Sequence, residues 1–261
     1  MHRIAGTLLV LAAFIGMAQR SEAIPVLQLD LIAGRYDPVT ETVVAPGGVF
    51  ELVAILTPGE GATAEDIQAL LQEGYFISVA LTPAVPEPGG DLGSFEFEGI
   101  SYNATSGLNY GNPPVEYIHQ ITQPKDAGDV PPHGIFPTYF AEIGFSFNPL
   151  NAALVYNTQD DPGGLTPSAD GSAYYASFVG NSRLLSSTYN LHFDLYDQTL
   201  ARCARTQTCE DIDINRFAPF SHDAQTITQV PEPSSAVLLL VAATFAAGCR
   251  WRFRRDVSAI R

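Results

Sequence analysis

The chain has 261 residues, with 13 Lys and Arg against 28 Asp and Glu, and a formal net charge of −15 at pH 7. Residues 24–229 alone hold 6 basic and 25 acidic residues, a balance of −19. Such an acidic body excludes nucleic acid as a partner, because neutralising phosphates requires clustered cations. The 22 Gly and 19 Pro residues disfavour long helices, since both residue types break them.

The N-terminus has the pattern of a secretory signal. His2 and Arg3 precede the uncharged apolar run 4–17, and Ser21 and Ala23 are small residues at the −3 and −1 positions of a cleavage site. The run of 14 residues is shorter than the roughly 20 that span a bilayer. We therefore expect export by Sec-type machinery and removal of residues 1–23 by signal peptidase. An uncleaved anchor or a buried helix is the alternative.

Residues 24–229 are expected to form one domain built mainly from short strands. Runs rich in β-branched and aromatic residues, bounded by Gly and Pro, indicate such strands. The predicted strands are Pro25–Asp30, Glu41–Ala45, Gly48–Leu56, Phe76–Leu81, Ser94–Glu98, Glu116–Ile121, Tyr139–Phe147, Leu154–Asn157, Ala173–Val179, Tyr189–Tyr196, Ile212–Ile214 and Ala224–Thr228. Strands of this number and spacing favour a single antiparallel β-sandwich, jelly-roll-like.

One helix is predicted over Thr63–Gly74. Thr63 is a suitable N-cap, Asp66 can return a hydrogen bond to the cap, and Gly74 can end the helix. Its apolar residues share one face, so it should pack on the sandwich.

Alternating residues in two strands indicate one buried and one solvated face. Phe95 and Phe97 alternate with polar residues, and Leu191 alternates with His192 and Asp194 in the same way. His192, on the polar face of this strand, and His222 are interpreted as solvated side chains rather than metal ligands. Neither His-x-His nor His-Glu-x-x-His spacing occurs in the body.

No catalytic motif stands out in the body, which is therefore expected to be non-enzymatic. Gly180-Asn-Ser-Arg-Leu184 lacks the second glycine of a nucleophile elbow. A secreted hydrolase whose catalytic groups meet only in three dimensions remains an alternative. A carbohydrate-binding module with extracellular polysaccharide as its partner is another, because aromatic rings with polar rims bind sugars. The tyrosines that suggest it are Tyr102, Tyr110, Tyr117, Tyr139, Tyr156, Tyr174, Tyr175 and Tyr189.

Two short patterns near residue 210 carry separate expectations. Cys203 and Cys209 are separated by five residues and suit a disulfide in an oxidising compartment. Asp211, Asp213 and Asn215 place oxygens at alternate positions, as in Ca²⁺-binding loops. The same three residues also fit a strand that buries the isoleucines between them.

The C-terminus combines three parts in order. The motif 230–235 begins with Val230, Pro231, Glu232 and Pro233. The uncharged segment 236–249 follows, and it is expected to form a transmembrane helix. The basic tail 250–261 then supplies a stop-transfer signal, since clustered cations hold that end in the cytoplasm. These cations are Arg250, Arg252, Arg254 and Arg255.

This arrangement over residues 230–261 closely resembles the PEP-CTERM sorting signal of bacteria with two-membrane envelopes. The resemblance implies recognition by a membrane-embedded exosortase and cleavage near Pro231–Pro233. Transient membrane anchoring, then transfer to the cell surface or to an extracellular matrix rich in polysaccharide, would follow. The repeat of the tetrapeptide at Val85–Pro88 is followed by glycines instead of an apolar segment, so a turn is expected there.

The body resembles the choice-of-anchor N family in two places, 24–30 and 133–140. That family pairs one extracellular body with differing C-terminal anchors. The resemblance implies no established catalytic activity, and it offers no residue roles to transfer to this chain.

Overall fold

A computed structural model describes residues 26–115, 130, 133–202 and 210–227, without the side chains of 199–202 and 210–213. The predicted signal peptide, the sorting tail, the strand Glu116–Ile121 and both body cysteines lie outside these residues. Within the described residues, no helix is long and apolar enough to cross a membrane.

The described part of the chain is mainly β, as the sequence predicts. It contains fifteen strands, the helix α1 (Ala64–Gln72) and a 3₁₀ helix (Phe220–His222). The strands are β1 (Leu27–Leu31), β2 (Arg35–Asp37), β3 (Thr42–Pro46), β4 (Val49–Leu56), β5 (Tyr75–Thr82), β6 (Ser94–Phe97), β7 (Ile100–Asn103), β8 (Asn109–Gly111), β9 (Thr138–Phe145), β10 (Ala152–Ala153), β11 (Ala173–Asn181), β12 (Asn190–Asp197), β13 (Thr199–Arg202), β14 (Glu210–Asp213) and β15 (Ala224–Ile227).

The strands form two large sheets and one short ladder. The first sheet has the order β1-β4-β11-β6-β7, with β10 also beside β11, and all of its pairs are antiparallel. The second has the order β2-β3-β15-β12-β5-β9-β8. Strands β15 and β3 pair in parallel, so the expectation of a wholly antiparallel arrangement is wrong at this one position. Strands β13 and β14 form the ladder.

The inward side chains of both sheets share one hydrophobic core. The rings of Phe50 on β4 and Phe193 on β12 lie 5.4 Å apart, and Phe97 on β6 lies 6.1 Å from Phe193. Phe95 and Phe97 are each 1% exposed, while Glu96 between them is exposed. The alternation predicted for β6 is therefore confirmed.

Helix α1 begins with the predicted cap. The backbone N–H of Asp66 donates to Thr63 Oγ1 at 3.2 Å, and Asp66 Oδ2 accepts from the Thr63 N–H at 2.9 Å. Leu71 is buried in the core. The helix ends at Gln72 with Glu73 as its C-cap, one residue before the expected glycine.

Short strands were the main omissions of the sequence-based prediction. Strand β7 follows β6 through a tight turn at Glu98 and Gly99, where φ is +51° and +74°. Strand β10 replaces the predicted strand Leu154–Asn157, because the chain turns instead at Asn157, whose carbonyl accepts from the N–H groups of Asp160 and Asp161. The acidic stretch 160–164 forms a turn.

The outer faces of the central strands are partly covered as well. On the first sheet, Tyr156 and Leu165 pack over Val53 and Ile55 in a second apolar cluster. On the second sheet, the outward residues of β12 are buried: His192 is 2% exposed and Asp194 4%. The expectation that this face meets water is wrong, and so is the expectation that His222, 3% exposed, is solvated.

We predict that Cys203 and Cys209 form a disulfide. The β13–β14 ladder pairs Arg202 with Glu210, the residues directly before and after the cysteines. Opposed residues in antiparallel ladders lie at the separation that a disulfide bridges. In protein folded under oxidising conditions and handled without reductant, both cysteines should resist alkylation, as read by peptide mass spectrometry.

Cys203→Ser is the control, because it should leave Cys209 fully reactive. Complete labelling of both residues in such unreduced protein would refute the disulfide.

Candidate metal centre

Strand register brings two carboxylates to one histidine. His192 and Asp194 lie two residues apart on the outer face of β12, and His192 is opposite Gln225 of β15. Asp223 directly precedes β15 and reaches the same face, where its Oδ2 lies 3.8 Å from His192 Nε2. Asp194 Oδ1 lies 3.4 Å from the same nitrogen.

The second histidine comes from the irregular segment before β9. His133 Nε2 lies 3.0 Å from Asp194 Oδ1 and 3.3 Å from His192 Nε2. Its ring stacks on Phe220 of the 3₁₀ helix with centroids 4.4 Å apart, and it meets Phe136 edge-on at 5.7 Å. Two aromatic rings therefore fix the direction in which His133 points.

These four residues, His133, His192, Asp194 and Asp223, form what we call the His–Asp cluster. One ligand atom from each lies within 4.8 Å of the ligand atoms of the other three. Their side chains are 8%, 2%, 6% and 1% exposed in that order. The cluster is thus a closed polar site under the covering segments.

The carboxylates of the cluster have few directed partners. Both oxygens of Asp194 and of Asp223 are buried without a hydrogen bond to any described residue, as is Nδ1 of His192. The ring nitrogens are close enough for ion pairs, but their N–H directions do not satisfy hydrogen-bond geometry. Ser78 Oγ, on the residue opposite Asp194 in β5, is also buried and unpaired among the described residues.

Burial and charge act in opposite directions on the cluster. Burial opposes the charged form of His192, but Asp194 and Asp223 outweigh it and raise the pKa of that imidazole. Burial also opposes ionisation of Asp194, but the two histidines lower the pKa of its carboxyl. Burial raises the pKa of Asp223, whose carboxyl lies beside the already charged Asp194. The protein alone therefore keeps protons inside the cluster at neutral pH.

Two imidazole nitrogens and two carboxylates can either share protons or chelate a divalent cation. The nitrogens disfavour Ca²⁺ and Mg²⁺, which select oxygen ligands. The rings of Phe136 and Phe220 contact the ring of His133, and Phe140 packs against Phe136 behind it.

The other predicted site residues are not joined to this cluster. Asp211 and Asp213 lie in β14, where their side chains are not described, and the Asn215 N–H donates to Asp197 Oδ1 at 2.8 Å. Ca²⁺ at these three residues stays a prediction. Sorting residues 230–233 and the arginines of the tail lie outside the described residues.

Sequence reasoning missed the cluster because its signal is weak. The sequence shows His192 and Asp194 as a polar pair on one face of a strand. That pattern favours a face exposed to solvent. His133 and Asp223 lie outside regular strands, so periodicity does not select them.

A hydroxyl–imidazole–amide chain lies beside the cluster but is distinct from it. Ser221 Oγ is 2.9 Å from His222 Nδ1, and His222 Nε2 is 3.1 Å from Asn157 Oδ1. Burial lowers the pKa of His222 to about 4, so this ring is neutral at pH 7. The chain of contacts fastens the 3₁₀ helix to the segment that covers the first sheet.

A groove of about 500 Å³ lies at the turn between β3 and β4, beside the C-terminal ends of β1 and β11. It is lined by Ile32, Ala33, Ala45, Pro46, Gly47, Gly48, Val49, Phe50, Ser182, Arg183, Leu185 and Ser187. Gly48, at φ +119°, exchanges hydrogen bonds with Ser182: its N–H donates to Oγ at 3.0 Å, and its carbonyl accepts from the Ser182 N–H at 2.9 Å. Arg183 is exposed, and no described carboxylate lies within ion-pair distance of it.

Most of the tyrosines that suggested sugar binding pack inward instead. Tyr139 is 8% exposed, and the half-buried members with described side chains contact the two apolar clusters. Those half-buried members are Tyr102, Tyr110, Tyr156, Tyr174, Tyr175 and Tyr189. Tyr117 lies outside the described residues.

Comparisons of the chain with protein-family models, with curated proteins and with solved structures found no match.

A different buried carboxylate, Asp30 on β1, is fully supplied with donors. Its oxygens accept from Tyr156 Oη at 2.6 Å, from the Leu31 N–H at 2.8 Å and from the Gly163 N–H at 2.9 Å. Gly163 has φ +75°, a conformation that favours glycine and lets this turn approach β1. Burial raises the pKa of Asp30 to about 6 although these hydrogen bonds lower it.

We predict that ionisation of Asp30 weakens the fold as pH rises. The pKa is raised above its ordinary value of 3.8, so its contribution to the free energy of unfolding is full below pH 4 and is lost through about pH 6. The loss is at most about 3 kcal/mol. Asp30→Asn should remove this part of the pH dependence, as measured by urea unfolding between pH 4 and 7.5.

Asp170→Asn, at an exposed site, controls for the loss of one carboxylate. If Asp30→Asn and the unmodified chain lose stability in parallel over this range, burial does not set the protonation of Asp30.

Proposed function

We propose that this chain is an exported, non-enzymatic protein of the cell surface or extracellular matrix. The observation that carries the proposal is the order of motif, apolar segment and arginine cluster at residues 230–261. Its resemblance to a PEP-CTERM signal supports Sec-type export, sorting by an exosortase and transient anchoring in the inner membrane of a two-membrane envelope. The acidic body is compatible with this location and with no nucleic-acid partner.

The finer architecture of the body, a jelly-roll-like sandwich, belongs to the same proposal. Its support is that the chain crosses repeatedly between the two sheets, from β3 to β4, from β4 to β5 and from β5 to β6. The shared core of both sheets supports a face-to-face arrangement.

The non-enzymatic assignment is supported by the closure of the His–Asp cluster. A hydrolase needs its acid–base groups within reach of a substrate, whereas these four side chains are at most 8% exposed. The alternative, a secreted hydrolase, predicts that the chain turns over ester, peptide or glycoside substrates. It also predicts that Asp194→Asn abolishes this activity.

We predict that the tail is a processed signal. Residues before a proline avoid the helical conformation, so Pro231 and Pro233 favour an extended segment that a protease can bind. Glu232→Ala, or alanine at both prolines, should leave export intact and trap a larger, membrane-bound precursor. Mass spectrometry of the protein from its native envelope reads both ends of the mature chain.

Glu87→Ala is the matched control, because Glu87 is exposed within the internal copy of the tetrapeptide at Val85–Pro88. This variant should be processed normally. Recovery of peptides containing Trp251 and Arg254 in full yield from the mature native protein would mean that the tail is a permanent anchor.

The second candidate function is binding of an extracellular polysaccharide, and the groove at Gly48 favours it. The groove size of about 500 Å³ suits a few sugar units. Its hydroxyls and the exposed guanidinium of Arg183 suit an acidic sugar, because the fork of an arginine pairs with a carboxylate.

On this candidate function, Arg183→Ala should weaken binding to a uronate-containing polysaccharide by about 10- to 100-fold, the loss expected for a charged hydrogen bond. A glycan array with the full chain provides the ligand, and titration provides the affinity. Arg35→Ala, at an exposed cation that does not line the groove, is the control. Equal binding by both variants would exclude the groove as the polysaccharide-binding site.

A further inference from the structure

We propose that the His–Asp cluster binds one divalent first-row transition-metal ion, for which Zn²⁺ is the reference probe. The ion would take Nε2 of His133 and His192 and one carboxylate oxygen each from Asp194 and Asp223. This inference concerns the folded body and does not depend on how the tail is processed.

The spacing of the ligand atoms suits such an ion. Nitrogen and oxygen ligands about 2.0–2.2 Å from a tetrahedral Zn²⁺ lie about 3.3–3.6 Å from one another. The measured separations are 3.0 Å and 3.4 Å from Asp194 Oδ1 to the two histidines, 3.3 Å between the histidines and 3.8 Å from His192 to Asp223. The remaining two pairs lie within 4.8 Å, so Asp223 would move toward His133 and Asp194 to complete the coordination shell.

The charge of the ligand set also suits a divalent ion. Two ionised carboxylates and two neutral imidazoles carry −2, which a 2+ ion cancels inside a site that is 1–8% exposed. Without an ion, the four carboxylate oxygens remain buried with no hydrogen bond from the described residues. Buried carboxylate oxygens without hydrogen-bond donors are unfavourable, and an ion would supply the directed partner that these carboxylates lack.

The two imidazole nitrogens of the cluster determine which metal ions can compete for the site. Imidazole suits Zn²⁺, Cu²⁺, Ni²⁺ and Fe²⁺, whereas Ca²⁺ takes six to eight oxygens and Mg²⁺ retains much of its water. Two nitrogens in a set of four therefore favour a transition metal over the two abundant hard cations.

The role of this metal is structural. Closed four-ligand sites hold protein segments together, whereas catalytic sites keep one position open for water. Here the ligands come from β12, from the residue before β15 and from the segment at His133. The ion would fasten the segment at His133, together with the 3₁₀ helix whose Phe220 stacks on it, to the outer face of the second sheet.

The test uses the full chain, purified in detergent, stripped with EDTA and dialysed. Titration with Zn²⁺ should saturate at one ion per chain, and Co²⁺ should give the visible absorption of a four-coordinate nitrogen–oxygen site. Zn²⁺ at 100 times its dissociation constant should raise the melting temperature by about 5–10 °C.

His133→Gln is the first variant, because His133 lies outside the strands and its loss leaves both ladders of β12 intact. Asp223→Asn is the second. Each should weaken Zn²⁺ binding by more than about 100-fold. Loss of a residue that only orients a ligand weakens binding by about 10- to 100-fold, and loss of a ligand itself should weaken it more. Asp170→Asn, at an exposed site, and Glu142→Gln, on the same sheet face, should bind Zn²⁺ as the unmodified chain does.

Two results would overturn the proposal. One is a folded, unmodified chain that takes up none of Zn²⁺, Co²⁺, Ni²⁺, Cu²⁺, Mn²⁺ or Fe²⁺ at a single site. The other is uptake that survives His133→Gln and Asp223→Asn to the same extent as the two controls. If a ligand variant fails to fold, the unmodified chain decides the test. Its melting temperature must fall in EDTA and recover when Zn²⁺ is added. Neither result bears on export or sorting.

Discussion

The structure depends on covering both faces of its central strands. Leu191 and Phe193 enter the core on one side of β12, while His192 and Asp194 are buried on the other. Polar groups so placed cannot reach water and must be satisfied within the protein. Asp30 on β1 meets this demand with three protein donors, whereas Asp194 and Asp223 meet only ring nitrogens at ion-pair distance. Asp30 therefore orders the loop that donates to it, whereas Asp194 and Asp223 are suited to binding a cation.

Short sequence patterns predicted those features that depend on interactions between residues close together in the chain. The cap at Thr63 and the alternation at Phe95 and Phe97 depend on neighbours a few residues away, and both are found in the structure. The same alternation at Leu191–Tyr196 predicted a solvated face, which is wrong. What buries that face is chain from His133 and from Phe220, about 60 and 30 positions away, so no window around β12 contains the information.

The candidate site was unpredictable for a related reason. Familiar metal motifs place two or more ligands on one helix or loop at a fixed spacing, so the sequence displays them. Here only His192 and Asp194 share an element. His133 is brought in by aromatic packing, and Asp223 by the β12–β15 register. Register follows from how the whole sheet pairs, and a single sequence without its pairing partners does not display it.

Ligands drawn from three separate segments also tie the proposed metal to folding. No such site exists in an unfolded chain, so an ion binds only as β12, β15 and the segment at His133 come together. On the proposed export route the chain folds after export, so the choice of ion would be made outside the cytoplasm. The body's balance of −19 attracts every cation to its surface without discrimination. Discrimination must come from the interior, where two imidazoles replace the oxygens that the more abundant hard cations require.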